Sequence, residues 1–126
     1  MFAAGDGNGQ SPMARLIGVS NRTAAGGSKA GGLAVALWDA LVKTEGMWFG
    51  WSGDIAKSAP RGTETFEEEG VEFALTGLTE REHEGYYLGY SNRALWPVCH
   101  YRVDLANFDE DAFEIYADVN RRFAKQ

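Results

Sequence analysis

RLIGVSNR at residues 15–22 and GGLAVALW at residues 31–38 are the stretches that decide the fold. Leu16 to Ser20 form a short apolar run of the kind buried in a parallel sheet. After a Gly-, Ala- and Ser-rich loop over residues 21–30, Gly31 and Gly32 open a helix. Leu33, Leu37, Trp38 and Leu41 recur there at i, i+4, i+5 and i+8, an amphipathic spacing that runs to about Thr44. Glu45 and Gly46 break the helix, and MWFGW at residues 47–51 reads as a second buried strand, closing a β-α-β unit. A strand that ends against a glycine-opened helix creates an anion site, because unpaired backbone N–H groups and the positive end of the helix dipole converge there. Arg22 adds a planar guanidinium with paired donors at the strand end. Together these features point to a sugar phosphate or a nucleotide.

The remaining elements fit one α/β domain. Pro60, Arg61 and Gly62 mark a turn, and the segments from Thr63 to Glu68 and from Val71 to Leu75 flank Glu69 and Gly70 as a hairpin or two short strands. Ser52, Gly53 and Asp54 read as the start of a polar loop. Thr79-x-x-Glu82 is a capping box that announces a helix through about Tyr90, which Ser91 to Leu95 either continue or follow with another, and Pro97 is expected to stop it. The last helix runs from about Asp109 to Lys125, with Ala112, Ile115, Tyr116, Val119 and Phe123 on one face. Residues 1–12 read as a disordered N-terminal extension, and Met13 directly precedes the first strand.

Composition narrows the partners. A chain of 126 residues with 44% hydrophobic and 24% charged residues supports one globular core, burying roughly two thirds of its unfolded surface. The formal net charge of −6 argues against a nucleic-acid or anionic-membrane surface. One cysteine, Cys99, permits neither an intrachain disulfide nor a thiolate metal cluster, which suits a cytoplasmic protein, and no metal-ligand spacing is present.

Each candidate residue has a plainer alternative. A strand-end arginine such as Arg22 commonly pairs with a carboxylate, and the chain has 18 of them. Glycines at a helix start are common for steric reasons alone. Trp38 and Trp48 read as core. Trp51, surrounded by Gly50, Ser52 and Gly53, reads as the wall of a sugar pocket, and Tyr87 and Trp96 flank Ser91 and Asn92 with a hydroxyl able to reach phosphate. His83, among Glu80, Arg81, Glu82 and Glu84, reads as a solvated surface residue, and His100 as the holder of a structural hydrogen bond. Adjacent Cys99 and His100 do not make a hydrolase pair, since neighbours on an extended chain point opposite ways.

These residues carry a resemblance. VSNR (19–22), AGGL (30–33), WFGWSG (48–53), YY (86–87), SN (91–92), LWP (95–97) and HYR (100–102) occur in an order similar to the N-terminal part of the trehalose-6-phosphate synthase family. Members are retaining glucosyltransferases of GT-B type, built from two Rossmann-like domains. The resemblance covers about residues 14 to 125 and implies that residues 13–126 are the acceptor-binding part of a partial Rossmann-like domain, a three-layer α/β/α arrangement whose C-terminal partner domain is absent. It implies that Arg22 and Tyr87 bind the phosphate of glucose 6-phosphate, with Trp51 lining that pocket, and that Gly31 and Gly32 approach the diphosphate of UDP-glucose. Trp96 resembles a position tied to choice of the acceptor's α anomer. UDP-glucose is a co-substrate, no cofactor or metal is implied, and a homo-oligomer of the intact enzyme is compatible with the family. No catalytic residue is assigned within these residues, so the isolated fragment is expected to be inactive. Two alternatives stay open: a sister transferase acting on another phosphorylated acceptor, such as glycerol 3-phosphate, and a non-catalytic sugar-phosphate-binding or regulatory homologue.

Overall fold

The computed structural model describes residues 14–26 and 31–126. The expected N-terminal extension, and residues 27–30 of the expected glycine-rich loop, lie outside the described residues. Four strands form one mixed sheet: β1 (Ile17–Arg22), β2 (Met47–Ile55), β3 (Glu64–Glu68) and β4 (Val71–Leu78), in the order β1-β2-β4-β3. β1 and β4 both run parallel to β2, whereas β3 pairs with β4 as an antiparallel hairpin. Helix α1 (Gly32–Thr44) supplies the crossover between β1 and β2. Glu45 ends it in the left-handed conformation, φ 46°, and donates its N–H back to the Leu41 and Val42 carbonyls.

Alternation along the strands divides the core into two layers. Trp48, Val71 and Phe73 meet Trp38 and Leu41 of α1 on one face, with Phe73 stacked between Trp38 and Trp48 at 5.8 and 5.9 Å. On the other face Trp51 and Leu78 meet Tyr86, Val119 and Phe123 from the later helices. The arrangement is the three-layer α/β/α expected from the sequence.

The segment after β4 departs from expectation. The Thr79–Glu82 capping box forms, with the Thr79 hydroxyl accepting from the Glu82 N–H and the Glu82 carboxylate accepting from the Thr79 N–H. Only Glu80–Glu82 (α2) is α-helical, however, and His83–Leu95 is a π-helix, with wider i→i+5 turns over 13 residues. π-Helices are usually single turns. This one is zipped against α4 (Glu110–Phe123), capped by Asp109. A Cβ added at Gly85 would lie 2.6 Å from Ile115, and one at Gly89 3.1 Å from Ala112. The two glycines therefore allow a close approach that stacks Tyr86 on Tyr116 and sets Tyr90 tilted against the same ring.

Several local expectations need correction. Leu16–Ser20 is not buried as a unit: Ile17 and Val19 are 60% and 67% exposed, because β1 is the sheet edge and the helices on that face cover β2 and β4 instead. Leu33 is 85% exposed, since α1 reaches the core only from Ala34 onward. β2 continues through the expected loop to Ile55. Pro97 does not stop the helix but occupies the first turn of α3 (Trp96–Cys99), where a missing N–H costs little.

Candidate functional site

A bulge builds the site. Ser20 pairs with Gly50 and Arg22 with Trp51, so Asn21 is an extra residue in the β1 ladder. A single inserted residue reverses the alternation and turns the next side chain to the opposite face. Arg22 accordingly lies over the Trp51 ring, with its guanidinium carbon 5.4 Å from the ring centroid. The bulge is pinned on both sides. The Ser20 hydroxyl donates to the Arg22 carbonyl at 2.7 Å while accepting from the Trp48 indole at 2.9 Å, and the Asn21 side chain accepts from the Tyr86 hydroxyl at 2.6 Å. Burial pushes the Tyr86 phenol well above its ordinary pKa, and proximity to Tyr116 adds to the effect, so it stays a neutral donor.

Trp51 is only 2% exposed, so it is the floor of the site and not an open wall. Its indole N–H donates to the Asp54 carbonyl at 2.8 Å, which locks the ring plane. Arg22 rests on Trp51 and also faces Gly53, whose φ is +99°. An added Cβ there would lie 3.0 Å from an Arg22 terminal nitrogen, so only glycine leaves room at low strain. Tyr87 meets Trp51 edge-on at 5.2 Å. His83 joins them, tilted on Trp51 at 5.0 Å and stacked on Tyr87 at 5.7 Å. The surface role expected for His83 is thus overturned. Residues 83 and 87 both turn toward β2 and complete a three-ring cluster.

Arg22 carries the electrostatic signal. Among the described residues its guanidinium makes no hydrogen bond or ion pair. Arg15, Arg102, Arg121 and Arg122 each hold a carboxylate. The pairing that an isolated strand-end arginine would ordinarily make is therefore not made here. An exposed guanidinium held over an indole keeps donors available to a planar or tetrahedral anion.

Gly31 and Gly32 stand at the start of α1. Gly31 is its N-cap with φ +100° and no side-chain cap, which leaves helix-end N–H groups available. Among the described residues a Cβ added at either glycine meets nothing within 4 Å. Trp96 is 56% exposed on α3 and stacks on His100 at 3.9 Å. The His100 Nδ1 lies 2.7 Å from the Trp96 carbonyl, the structural hydrogen bond expected for it. Among the described residues no ring contact joins Trp96 to Trp51 or Tyr87. The structure thus brings Arg22, Trp51 and Tyr87 together, and leaves the glycines and Trp96 outside that cluster.

Arg122 was not singled out in the sequence. It is largely buried, donates to the Thr76 hydroxyl and the Gly77 carbonyl, and pairs with Glu82 at 3.0 Å. It therefore bolts the capping box below the π-helix to both α4 and the end of β4. The signal available was the capping-box Glu82, a carboxylate whose burial requires a cation. Two clefts of 310 and 570 Å³ lie away from Arg22, one lined by Arg81, Arg93 and Asp109, the other by Arg61, Arg121 and Lys125. Both lack the rigid aromatic floor that orients Arg22, so the open shelf at β1 is the better candidate despite its shallowness.

The sequence pattern of glycosyltransferase family 20 matches residues 13–126. The chain is 45% identical over 116 residues to a trehalose-6-phosphate synthase of Cronobacter sakazakii, an alignment covering 89% of this chain and 24% of that protein. Among solved structures, an α,α-trehalose-phosphate synthase (UDP-forming) from Burkholderia xenovorans in complex with glucose-6-phosphate matches with a TM-score of 0.78 and 49% identity, covering 89% of this chain and 24% of that one. An E. coli structure bound with UDP-2-fluoro glucose matches with a TM-score of 0.72 and 39% identity, covering 88% and 24%. The chain spans about a quarter of the length of these relatives.

Proposed function

The chain belongs to glycosyltransferase family 20, and from that membership we propose that it forms part of an enzyme transferring glucose from UDP-glucose to glucose 6-phosphate, giving trehalose 6-phosphate. Residues 13–126 are its acceptor-binding part. The observation that carries this is the Arg22 guanidinium, unpaired among the described residues and held over the Trp51 ring beside Tyr87, in a family with a solved member in complex with glucose-6-phosphate.

Each side chain then has a physical task. Arg22 grips the acceptor phosphate at two oxygens, and the Tyr87 hydroxyl donates a further hydrogen bond. Trp51 acts from beneath, supporting the guanidinium so that less rotamer entropy is lost on binding. The free N–H groups at Gly31 and Gly32 face the donor's diphosphate, where a side chain would obstruct the backbone. Trp96 contributes to choice of the acceptor anomer. The chemistry is positioning plus electrostatic support of a departing diphosphate, with no protein nucleophile among these residues.

The test is UDP release from UDP-glucose and glucose 6-phosphate by the complete enzyme, compared with glucose as acceptor. Strong preference for the phosphorylated acceptor is expected. A polypeptide of these 126 residues alone is expected to release no UDP, and turnover on the order of 1 s⁻¹ by it would overturn the placement of the catalytic groups outside this segment.

A further inference from the structure

We propose that Asn21 and Tyr86 are positioning residues of the acceptor site, whose mutual hydrogen bond sets the spacing between Arg22 and Tyr87 and with it the geometry of the phosphate grip. The proposal rests on the acceptor-site assignment above and adds two residues that act through their neighbours, not by contact with the ligand. Asn21 immediately precedes Arg22, and Tyr86 immediately precedes Tyr87. The 2.6 Å bond from the Tyr86 hydroxyl to the Asn21 side-chain oxygen therefore joins β1 to the π-helix one residue away from each phosphate ligand.

The two ends of this tether differ in rigidity. Tyr86 is 1% exposed, with its ring stacked on Tyr116 at 5.6 Å and tilted against Phe123 at 5.7 Å. Its hydroxyl is thus held at a fixed point by the core. Asn21 is exposed on the edge strand, and it is the residue skipped in the register between Ser20 and Arg22. A bulged residue on an edge has no cross-strand ladder bond to hold it. A special backbone conformation does not hold it either: among the described non-glycine residues positive φ belongs to Glu45, Glu69 and Tyr101, so Asn21 is not left-handed. What fixes the bulge is its hydrogen bonds. The Ser20 hydroxyl ties the near side to the Trp48 indole and the Arg22 carbonyl, and the Thr23 N–H rejoins the Trp51 carbonyl on the far side at 3.0 Å. The bond to Tyr86 holds the apex.

This has a consequence for the phosphate. Arg22 and Tyr87 stand on different elements, and what they share is the Trp51 ring, against which both lie. Ring contacts tolerate sliding, whereas a hydrogen bond restrains both distance and direction. A phosphate gripped from two elements at once is bound best when those elements are already at the right separation, since ordering them on binding would offset part of the interaction. The buried phenol stays protonated at neutral pH, so the donor is always present.

The experiment is steady-state kinetics on the complete enzyme with glucose 6-phosphate and with glucose as acceptors, for Tyr86→Phe, Arg22→Gln and the two together. Tyr86→Phe keeps the ring between Tyr116 and Phe123 and removes only the donor. It is expected to raise the KM for glucose 6-phosphate by about threefold to tenfold, the scale of one neutral hydrogen bond, and to lower the kcat/KM preference for glucose 6-phosphate over glucose by the same factor, with the KM for UDP-glucose unmoved. In the Arg22→Gln background the same substitution should lower that preference by less than about twofold, because a tether that acts through Arg22 has little left to position. Asn21→Ala breaks the bond from its exposed end and should reproduce the loss without adding to that of Tyr86→Phe, and it decides alone if Tyr86→Phe fails to fold. Equal losses with glucose and glucose 6-phosphate, or losses that multiply with that of Arg22→Gln, make the bond merely structural and overturn the proposal. A preference unchanged in Arg22→Gln itself would instead overturn the acceptor-site assignment, and the tether would lose its role with it.

Discussion

Arg22 and Arg122 show two ways of placing a guanidinium in one small domain. Arg122 of α4 is partly buried against α2 and β4, with its terminal nitrogens shared among Glu82, Thr76 and Gly77. Arg22 lies exposed on an aromatic floor with no carboxylate partner among the described residues. Family and fold do not distinguish the two. What distinguishes them is where their donors point: inward to groups the protein itself supplies, or outward to something it does not. An arginine whose terminal nitrogens are taken up by the protein holds a fold together, even though the Arg122 Nε is buried without a partner among the described residues, and one whose terminal nitrogens are not is available for a ligand.

The largest effect on stability should come from Arg122. Arg122→Ala leaves the partly buried Glu82 without its cation and removes the link from α4 to β4, a loss of about 2 kcal/mol, between exposed and fully buried pairs. Denaturant unfolding of the variant measures it. A loss below about 1 kcal/mol would mean that Arg122 behaves as a surface residue and that the contrast with Arg22 is false.

Arg22→Lys reverses the pattern. The charge remains but the planar two-point grip is lost, so the kcat/KM preference for glucose 6-phosphate over glucose should shrink by about tenfold to hundredfold, equivalent to roughly 1.5–3 kcal/mol. Thermal unfolding should barely change, because Arg22 makes no hydrogen bond or ion pair to be broken among the described residues. Loss of stability with an unaltered phosphate preference would make Arg22 another structural arginine.

The sequence displayed much of this frame and hid its centre. The β-α-β unit, the hairpin, the capping box and the last helix are written in periodicities and turn residues that act locally, and they are found where those signals place them. The π-helix is not, because its i→i+5 pairing is imposed by packing of Gly85 and Gly89 against α4 rather than by a side-chain repeat. His83 therefore reads as one more polar residue in a charged run, although its ring turns onto Trp51. The orientation of Arg22 was equally hidden, since a one-residue bulge at Asn21 is invisible to a pattern of period two. Trp51 is a third case: its small neighbours read as the wall of a sugar pocket, and in the fold they make room for Arg22 and for the helices that leave the ring 2% exposed.

Tyr86 tests the hinge between the two regions, since its hydroxyl ties the bulge to the π-helix. Its folded-state pKa is raised, so the stability that the neutral phenol contributes is fully present below the unfolded value of about 10 and is lost as pH rises above it, at about 1.4 kcal/mol per pH unit. Tyr86→Phe should be less stable near neutral pH, through loss of the bond to Asn21, and flatter above pH of about 10. An identical alkaline slope in the two proteins would show that Tyr86 titrates freely and does not hold the bulge.

Gly32 gives the smallest effect and the sharpest separation of ligand from fold. A Cβ at this position meets nothing within 4 Å among the described residues, and the backbone there is not left-handed. Helix propensity favours valine over glycine by a few tenths of a kcal/mol. Gly32→Val should therefore leave thermal stability unchanged or slightly raised. If the start of α1 faces the donor's diphosphate, the same branched side chain obstructs the backbone N–H groups and weakens UDP-glucose binding by about threefold to tenfold, with acceptor affinity unaltered. The two measurements must move apart. Unchanged donor affinity would leave Gly32 as an ordinary helix-start glycine, and reduced stability with unchanged donor affinity would make it a packing residue, in which case the donor's diphosphate must be sought away from α1.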